Sequence, residues 1–80
     1  MIYLVTEYKR GNPSFYSICG VYHTTFASAF LQLKQIFDDI VASDPFEFDF
    51  VLDEPNDVAY IEYGDVCYRI MEVNQKGNNK

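Results

Sequence analysis

The chain has 80 residues and a formal net charge of −6, and 49% of its residues are hydrophobic and 18% aromatic. This length suits one domain, and so large an apolar supply excludes a disordered chain. The few basic residues are scattered, which disfavours direct binding to nucleic acid, and no apolar run approaches the roughly 18 residues that span a bilayer. No signal-peptide pattern opens the chain, so we expect a cytoplasmic protein.

The first half begins with a predicted β-hairpin. Residues 2–9 (IYLVTEYK) are rich in β-branched and aromatic types, which favour a strand. Gly, Asn and Pro in 10–14 form a turn, and 15–23 (FYSICGVYH) is the second strand. Gly20 inside that strand indicates a bulge or a close backbone approach, beneath the helix that comes next.

A long amphipathic helix follows. Thr24 or Thr25 is a suitable N-cap, because its hydroxyl can accept a hydrogen bond from the first turn. We expect the helix to end near Ser43, since Pro45 biases Asp44 away from helical geometry. Apolar residues recur at i, i+3, i+4 and i+7 and form one stripe: Phe26, Ala29, Phe30, Leu33, Ile36, Phe37, Ile40 and Val41.

The second half contains three predicted strands. Residues 46–53 alternate Phe and Leu with mostly acidic residues, 54–57 form a turn, and 58–63 is the fourth strand. A Gly-Asp hairpin turn leads to the fifth strand at 66–73.

Together these elements predict an α+β fold. The order is ββαβββ, a single domain over 1–73 in which one amphipathic helix packs on one face of an antiparallel sheet. Residues 74–80 form a polar tail that we expect to be disordered. We also expect Phe30, Phe37 and Phe48 to be almost fully buried between the helix and the sheet.

The distribution of charge is one-sided. Ten carboxylates and no Lys or Arg occur from Asp38 to Asp65. In the third strand Phe46, Phe48 and Phe50 should face the helix, so Glu47, Asp49 and Asp53 should face away from it.

Three further acidic residues crowd the C-terminal end of the helix, where the helix dipole disfavours negative charge: Asp38, Asp39 and Asp44. An unfavourable placement without evident compensation is a hint of function.

Catalytic and cofactor patterns are missing from the sequence. The sole histidine, His23, is four residues from Cys19 on a predicted strand, too far for a catalytic pair. One His and two separated cysteines give no zinc set, and residues 53–57 (DEPND) lack the spacing of a calcium loop. Cys19 and Cys67 are expected to be free, buried thiols. We therefore expect no enzyme activity, no cofactor and no metal.

Two resemblances bear on function. Residues 2–42 resemble a strand–turn–strand–helix motif common in small bacterial and phage proteins of unknown function. The matching residues are Tyr3-Leu4-Val5, Gly20-Val21-Tyr22, Thr24 or Thr25, and Ala27 or Ala29. By its size, its ββαβββ order and its acidic block, the chain also resembles phage-encoded anti-defence proteins, including anti-CRISPR proteins. That resemblance implies an inhibitor, acting in the host cytoplasm, that presents carboxylates where a nuclease or a nucleic-acid-binding complex expects phosphates.

The functional prediction is an acidic, non-enzymatic interaction protein, monomeric or homodimeric, that docks on the basic nucleic-acid-binding surface of a larger protein. The candidate partner-binding residues are Glu47, Asp49, Asp53, Glu54 and Asp57, a second group of Asp38, Asp39 and Asp44, and the aromatic anchors Tyr60 and Tyr63.

Two alternatives stay open. The acidic face could serve only to solubilise a Phe-rich domain. The chain could instead be a structural or regulatory module that self-associates through a sheet edge or through the exposed helix residue Leu31.

Overall fold

The computed structural model describes residues 1–43 and 48–73, so Asp44, Phe46, Glu47 and the predicted tail at 74–80 lie outside the described residues. The described part confirms the ββαβββ order. Its elements are β1 (Ile2–Lys9), β2 (Tyr16–Ile18), α1 (Phe26–Ser43), β3 (Asp49–Asp53), a 3₁₀ helix (Glu54–Asn56), β4 (Val58–Tyr63) and β5 (Val66–Val73).

The strands form one antiparallel sheet in the order β2-β1-β5-β4-β3. The first and last strands of the chain lie next to each other in its centre, in register from Ile2 opposite Val73 to Lys9 opposite Val66. The three-residue β2 and the five-residue β3 form the two edges. The two strands that are farthest apart in the sequence, β1 and β5, are therefore paired directly in the sheet.

The core lies between the helix and the central strands. Val5 of β1 and Ile61 of β4 are fully buried against Ala29 and Leu33 of α1, with Ala59 beside them. A ring of partly buried aromatic and aliphatic side chains surrounds this cluster. The close approach of helix and sheet is thus made by small and branched residues.

The predicted burial of the phenylalanines was wrong. Phe30, Phe37 and Phe48 are only partly buried, at the margin of the core. Phe48 and Phe50 do face the helix side as expected, with ring centroids 5.7 and 4.6 Å from that of Phe37, although Phe50 is an exposed edge residue. A helix about 10 Å wide cannot cover five strands whose outer members are about 19 Å apart, so the rings seal its flanks.

The second strand is shorter than predicted. It ends at Ile18, and the chain then turns at Gly20, whose φ is +76°. A Cβ at Gly20 would lie 2.9 Å from Nε2 of Gln32 on the helix, so of the two predicted alternatives, a bulge or a close approach, the structure shows the close approach, with Gly20 after β2 and not inside it. The chain rejoins the sheet at His23, which exchanges two 2.8 Å backbone hydrogen bonds with Tyr3.

Thr25 caps the helix. Its Oγ1 accepts a hydrogen bond from the Ser28 amide at 3.1 Å, and its carbonyl accepts one from the Ala29 amide at 3.3 Å. Of the two threonines considered from the sequence, the second is therefore the N-cap.

Two leucines on the helix provide a matched test of this packing. Leu33 is fully buried and Leu31 is 70% exposed. We expect Leu33→Ala to lower the free energy of unfolding by about 2–5 kcal/mol, because it leaves a cavity at the centre of the core. We expect Leu31→Ala to change it by less than about 0.5 kcal/mol. Urea denaturation followed by circular dichroism measures both, and equal losses would contradict the helix-on-sheet arrangement.

Candidate functional site

The side of the sheet opposite the helix, called here the open face, carries the candidate site. Val5 and Ile61 face the helix, so the residues that alternate with them face the other way. Two cross-strand rows cross the open face from β2 to β3: Tyr16, Tyr8, Cys67, Glu62, Asp49, and Ile18, Thr6, Arg69, Tyr60, Val51. Each row begins with apolar or aromatic residues, and the first row ends in two carboxylates.

The centre of the open face is tightly covered, although the described residues place no second layer over it. Thr6 is fully buried and Cys67 is 2% exposed. Thr6 lies between Ile18 and Arg69 in its row, and Cys67 lies between Tyr8 and Glu62 in the other, so the longer neighbours shield the shorter side chains. The surface that a partner would meet is formed by these longer side chains.

Arg69 is the central cation of the open face. Its guanidinium carbon lies 5.0 Å from the centroid of the Tyr8 ring, which is cation–π geometry. Thr6 Oγ1 donates a 3.2 Å hydrogen bond to the Arg69 carbonyl. The buried Nε of Arg69 finds no hydrogen-bond partner among the described residues. The guanidinium of Arg69 therefore lies against an aromatic ring in the middle of the open face.

The hydroxyl of Tyr8 stays protonated at neutral pH. Burial raises its pKa above the ordinary value, the neighbouring Cys67 raises it further, and Arg69 acts in the opposite direction. Tyr8 therefore presents a neutral phenol that can donate a hydrogen bond.

The acidic end of the open face combines a predicted residue with a missed one. Asp49 lies directly opposite Glu62 across the β3–β4 pair. Like charges in that position destabilise a sheet, and Arg10 offsets part of the repulsion through a 3.4 Å contact with Glu62. Glu62 was absent from the candidate residues, because the sequence does not show which residue of the fourth strand lies opposite Asp49 of the third.

The other carboxylates of β3 and its turn lie at the opposite end of the strand. Asp53 is four positions after Asp49, which is roughly 13 Å along a strand. Asp53 accepts a 2.8 Å hydrogen bond from Asn56, which belongs to the 3₁₀ helix that Glu54 begins. Asp57 ends this turn in the left-handed region at φ 55°. The described members of the predicted acidic group therefore do not form one continuous patch, because Asp49 lies at one end of β3 and the other three lie at the opposite end.

Asp38 and Asp39, the described members of the second predicted group, lie on the helix side of the sheet. Asp38 forms a 3.0 Å ion pair with Lys34, and Asp39 accepts a 3.3 Å hydrogen bond from Gln35. Asp39 also lines a groove of about 360 Å³ with Ile36, Ile40, Ser43, Tyr63 and Tyr68. Asp38 and Asp39 each have a partner one turn earlier, which offsets part of the unfavourable effect of the helix dipole on these two carboxylates.

The two predicted aromatic anchors face opposite ways. Tyr60 lies on the open face beside Arg69 and is exposed. Tyr63 lies on the helix side, where its ring meets that of Phe48 edge-on at 5.7 Å. Only Tyr60 of this pair can act together with Asp49 and Glu62.

His23 links the loop after β2 to the helix through hydrogen bonds of its ring nitrogens. Gln32 donates a 2.6 Å hydrogen bond to the Cys19 carbonyl, so its Oε1 is left to accept one from His23 Nε2 at 2.6 Å. Nδ1 of the same ring lies 2.7 Å from the Ser28 hydroxyl, within hydrogen-bond distance. This network ties the loop after β2 to the helix.

Neither cysteine is arranged as a nucleophile. Both are free, Cys67 buried and Cys19 partly buried. Burial, with a smaller contribution from Glu7, raises the pKa of the Cys19 thiol, which is the reverse of what a reactive thiolate needs. Within residues 1–43 and 48–73, no three His, Cys, Asp or Glu side chains are grouped as metal ligands.

Comparison of the chain with protein-family models, with curated proteins and with solved structures finds no match. In the described part of the chain, no helix has the length and apolarity needed to cross a membrane.

Gly20 tests the loop-to-helix network. Gly20→Ala must adopt a left-handed φ and also displace the Gln32 amide, whereas Gly11→Ala meets the same strain at φ +86° with nothing within 4 Å. We expect Gly11→Ala to cost about 1–2 kcal/mol of unfolding free energy. Gly20→Ala should cost about 1 kcal/mol more for each Gln32 hydrogen bond lost.

Thermal and urea unfolding of the two variants measure the difference. Gln32→Ala removes the side chain that the new Cβ at position 20 would meet. Gln32→Ala should therefore lower the free energy of unfolding less in the Gly20→Ala background than in the parent. Full additivity of the two costs would show that the amide does not constrain this loop.

Proposed function

We propose that this protein is a non-enzymatic inhibitor that binds the basic, nucleic-acid-binding surface of a larger protein and occludes it, using the open face of its sheet. The observation that carries the proposal is the row arrangement, which sets Tyr8, Tyr60 and Arg69 beside the opposed carboxylates Asp49 and Glu62. An anti-defence inhibitor encoded by a phage is the most specific form of this proposal.

The aromatic part of the open face supports high affinity. Tyr and Arg are enriched among the few residues that dominate protein–protein binding energies, while charge pairs contribute more to rate and specificity. Tyr60 is exposed. Arg69 lies over the Tyr8 ring, so its side chain has less conformational entropy to lose on binding than a freely moving arginine has. A partner that covers this centre would desolvate preorganised side chains.

The acidic part supports the choice of a basic partner. Asp49 and Glu62 repel each other in the free protein, and Arg10 shares its side chain between Glu62 and the Gly64 carbonyl. A Lys or Arg from the partner would relieve this repulsion. Such a cation should therefore bind more favourably between Asp49 and Glu62 than beside an isolated carboxylate. The net charge of −6 steers the encounter over a longer range.

Two charge-neutralised variants provide a matched comparison. Asp49→Asn/Glu62→Gln removes two charges from the open face, and Asp38→Asn/Asp39→Asn removes two from the helix side. With a partner captured from host lysate at low salt, identified and purified, we expect the first variant to associate more slowly and with a weaker salt dependence. The second should behave much like the parent. Surface plasmon resonance over a salt series measures both.

Tyr60→Ala tests the aromatic anchor. We expect it to raise the dissociation constant by about tenfold or more, mainly through faster dissociation.

The parent should also compete with DNA or RNA for the purified partner, and Asp49→Asn/Glu62→Gln should compete poorly. Equal effects of the two charge variants would indicate nonspecific attraction, and undiminished nucleic-acid binding by the saturated partner would reject occlusion.

A further inference from the structure

The edge strand β2 lies in the most apolar and least charged part of the chain. Residues 11–33 contain no Asp, Glu, Lys or Arg. Large apolar side chains in this segment are strongly exposed, with Phe15 at 78% and Ile18 at 52%. In the described residues β2 pairs with β1 on its inner side, and no strand lies on its outer side. An edge of this kind has little of the charge that usually blocks pairing with another chain.

The backbone pattern shows which groups face outward. The Cys19 amide donates a 2.7 Å hydrogen bond to the Val5 carbonyl, so in an antiparallel ladder the next hydrogen-bonded pair is Ser17 with Glu7. Tyr16 and Ile18 alternate with these residues. Their N–H and C=O groups therefore point away from β1, toward the open side of the edge.

We propose that two copies of this chain form a homodimer by antiparallel pairing of their β2 strands about a two-fold axis at Ser17. Tyr16 of one copy then lies opposite Ile18 of the other, and the two pairs make four backbone hydrogen bonds. On the open face both cross-strand pairs are aromatic with β-branched, a favourable combination. At the axis the two Ser17 residues form the closer, non-hydrogen-bonded pair, which small side chains fit.

The charge distribution selects a second copy as the occupant of this edge. Two chains of net charge −6 repel, but β2 lies at the end of the sheet farthest from the acidic β3. In a ten-stranded sheet the two β3 strands are about 43 Å apart, several Debye lengths at physiological salt. The β3 edge is a poor alternative, because pairing there would bring together the Asp49 and Asp53 residues of both copies.

This dimer goes beyond the proposed inhibition and does not depend on it. The two-fold axis is perpendicular to the sheet, so both open faces lie on the same side and become continuous. Failure of dimerisation would leave the binding of a basic partner to one open face untouched, and each property is measured with purified protein separately.

Sedimentation equilibrium of the full chain, from micromolar to millimolar concentration, tests the association. We expect a monomer–dimer equilibrium that is unchanged or strengthened by added salt, since salt screens the repulsion between acidic copies. Ile18→Lys should weaken the dimer about tenfold or more, and Leu31→Lys, the same change of residue type on the exposed helix face, should leave it unchanged. A monomer at every concentration, a dimer that salt dissociates, or a loss caused by Leu31→Lys alone would overturn the proposal.

A disulfide at the axis tests the register without depending on the lysine variants. In a Cys19→Ala background, Ser17→Cys would place two thiols in a non-hydrogen-bonded pair about 4.5 Å apart at Cα, within the range that a disulfide spans. Ser14→Cys, exposed in the preceding turn, is the matched control. We expect mild oxidation to link Ser17→Cys into dimers and to leave Ser14→Cys mostly unlinked. Equal linking of the two variants would overturn the register.

Discussion

The constraint on which the structure depends is that α1, the one α-helix of the described residues, covers only part of one side of a five-stranded sheet. Its 18 residues extend about 27 Å along its axis but only about 10 Å across. The fully buried core is consequently small, centred on Val5, Leu33 and Ile61. The phenylalanines seal the flanks of the helix, and the opposite side of the sheet must be stabilised by its own side chains or by another molecule.

The side chains of the open face cover one another without a helix on that side of the sheet in the described residues. Short residues such as Thr6 and Cys67 are buried beneath longer neighbours, and Arg69 lies against Tyr8. Antiparallel sheets that face water usually alternate apolar and polar residues, but β1 reads Ile2, Tyr3, Leu4, Val5. That lack of alternation was the sequence signal for an apolar second face. This run of apolar residues can be seen in the sequence, but it does not show which other strands contribute to the second apolar face.

The sequence predicted what local chemistry determines. The order of elements, the helix from its threonine cap to Ser43, and the close approach at Gly20 all follow from spacing and turn residues. Strand order does not, because β1 and β5 meet across most of the chain length. The acidic block illustrates the same limit. Asp39 and Asp49 belong to the same acidic block of the sequence but lie on opposite sides of the sheet, whereas strand pairing makes Asp49 and Glu62 direct neighbours.

The two edges of the sheet differ in charge. β2 carries none, the centre carries Arg69 among tyrosines, and β3 carries Asp49 and Asp53. An edge without charge favours contact with an identical chain, and an acidic edge favours contact with a basic one, so the two interactions do not compete for the same residues. If both occur, pairing at β2 would hold two acidic edges at a fixed separation. A partner with two basic sites at that spacing would then bind the second site at a raised effective concentration, which increases avidity without any new contact.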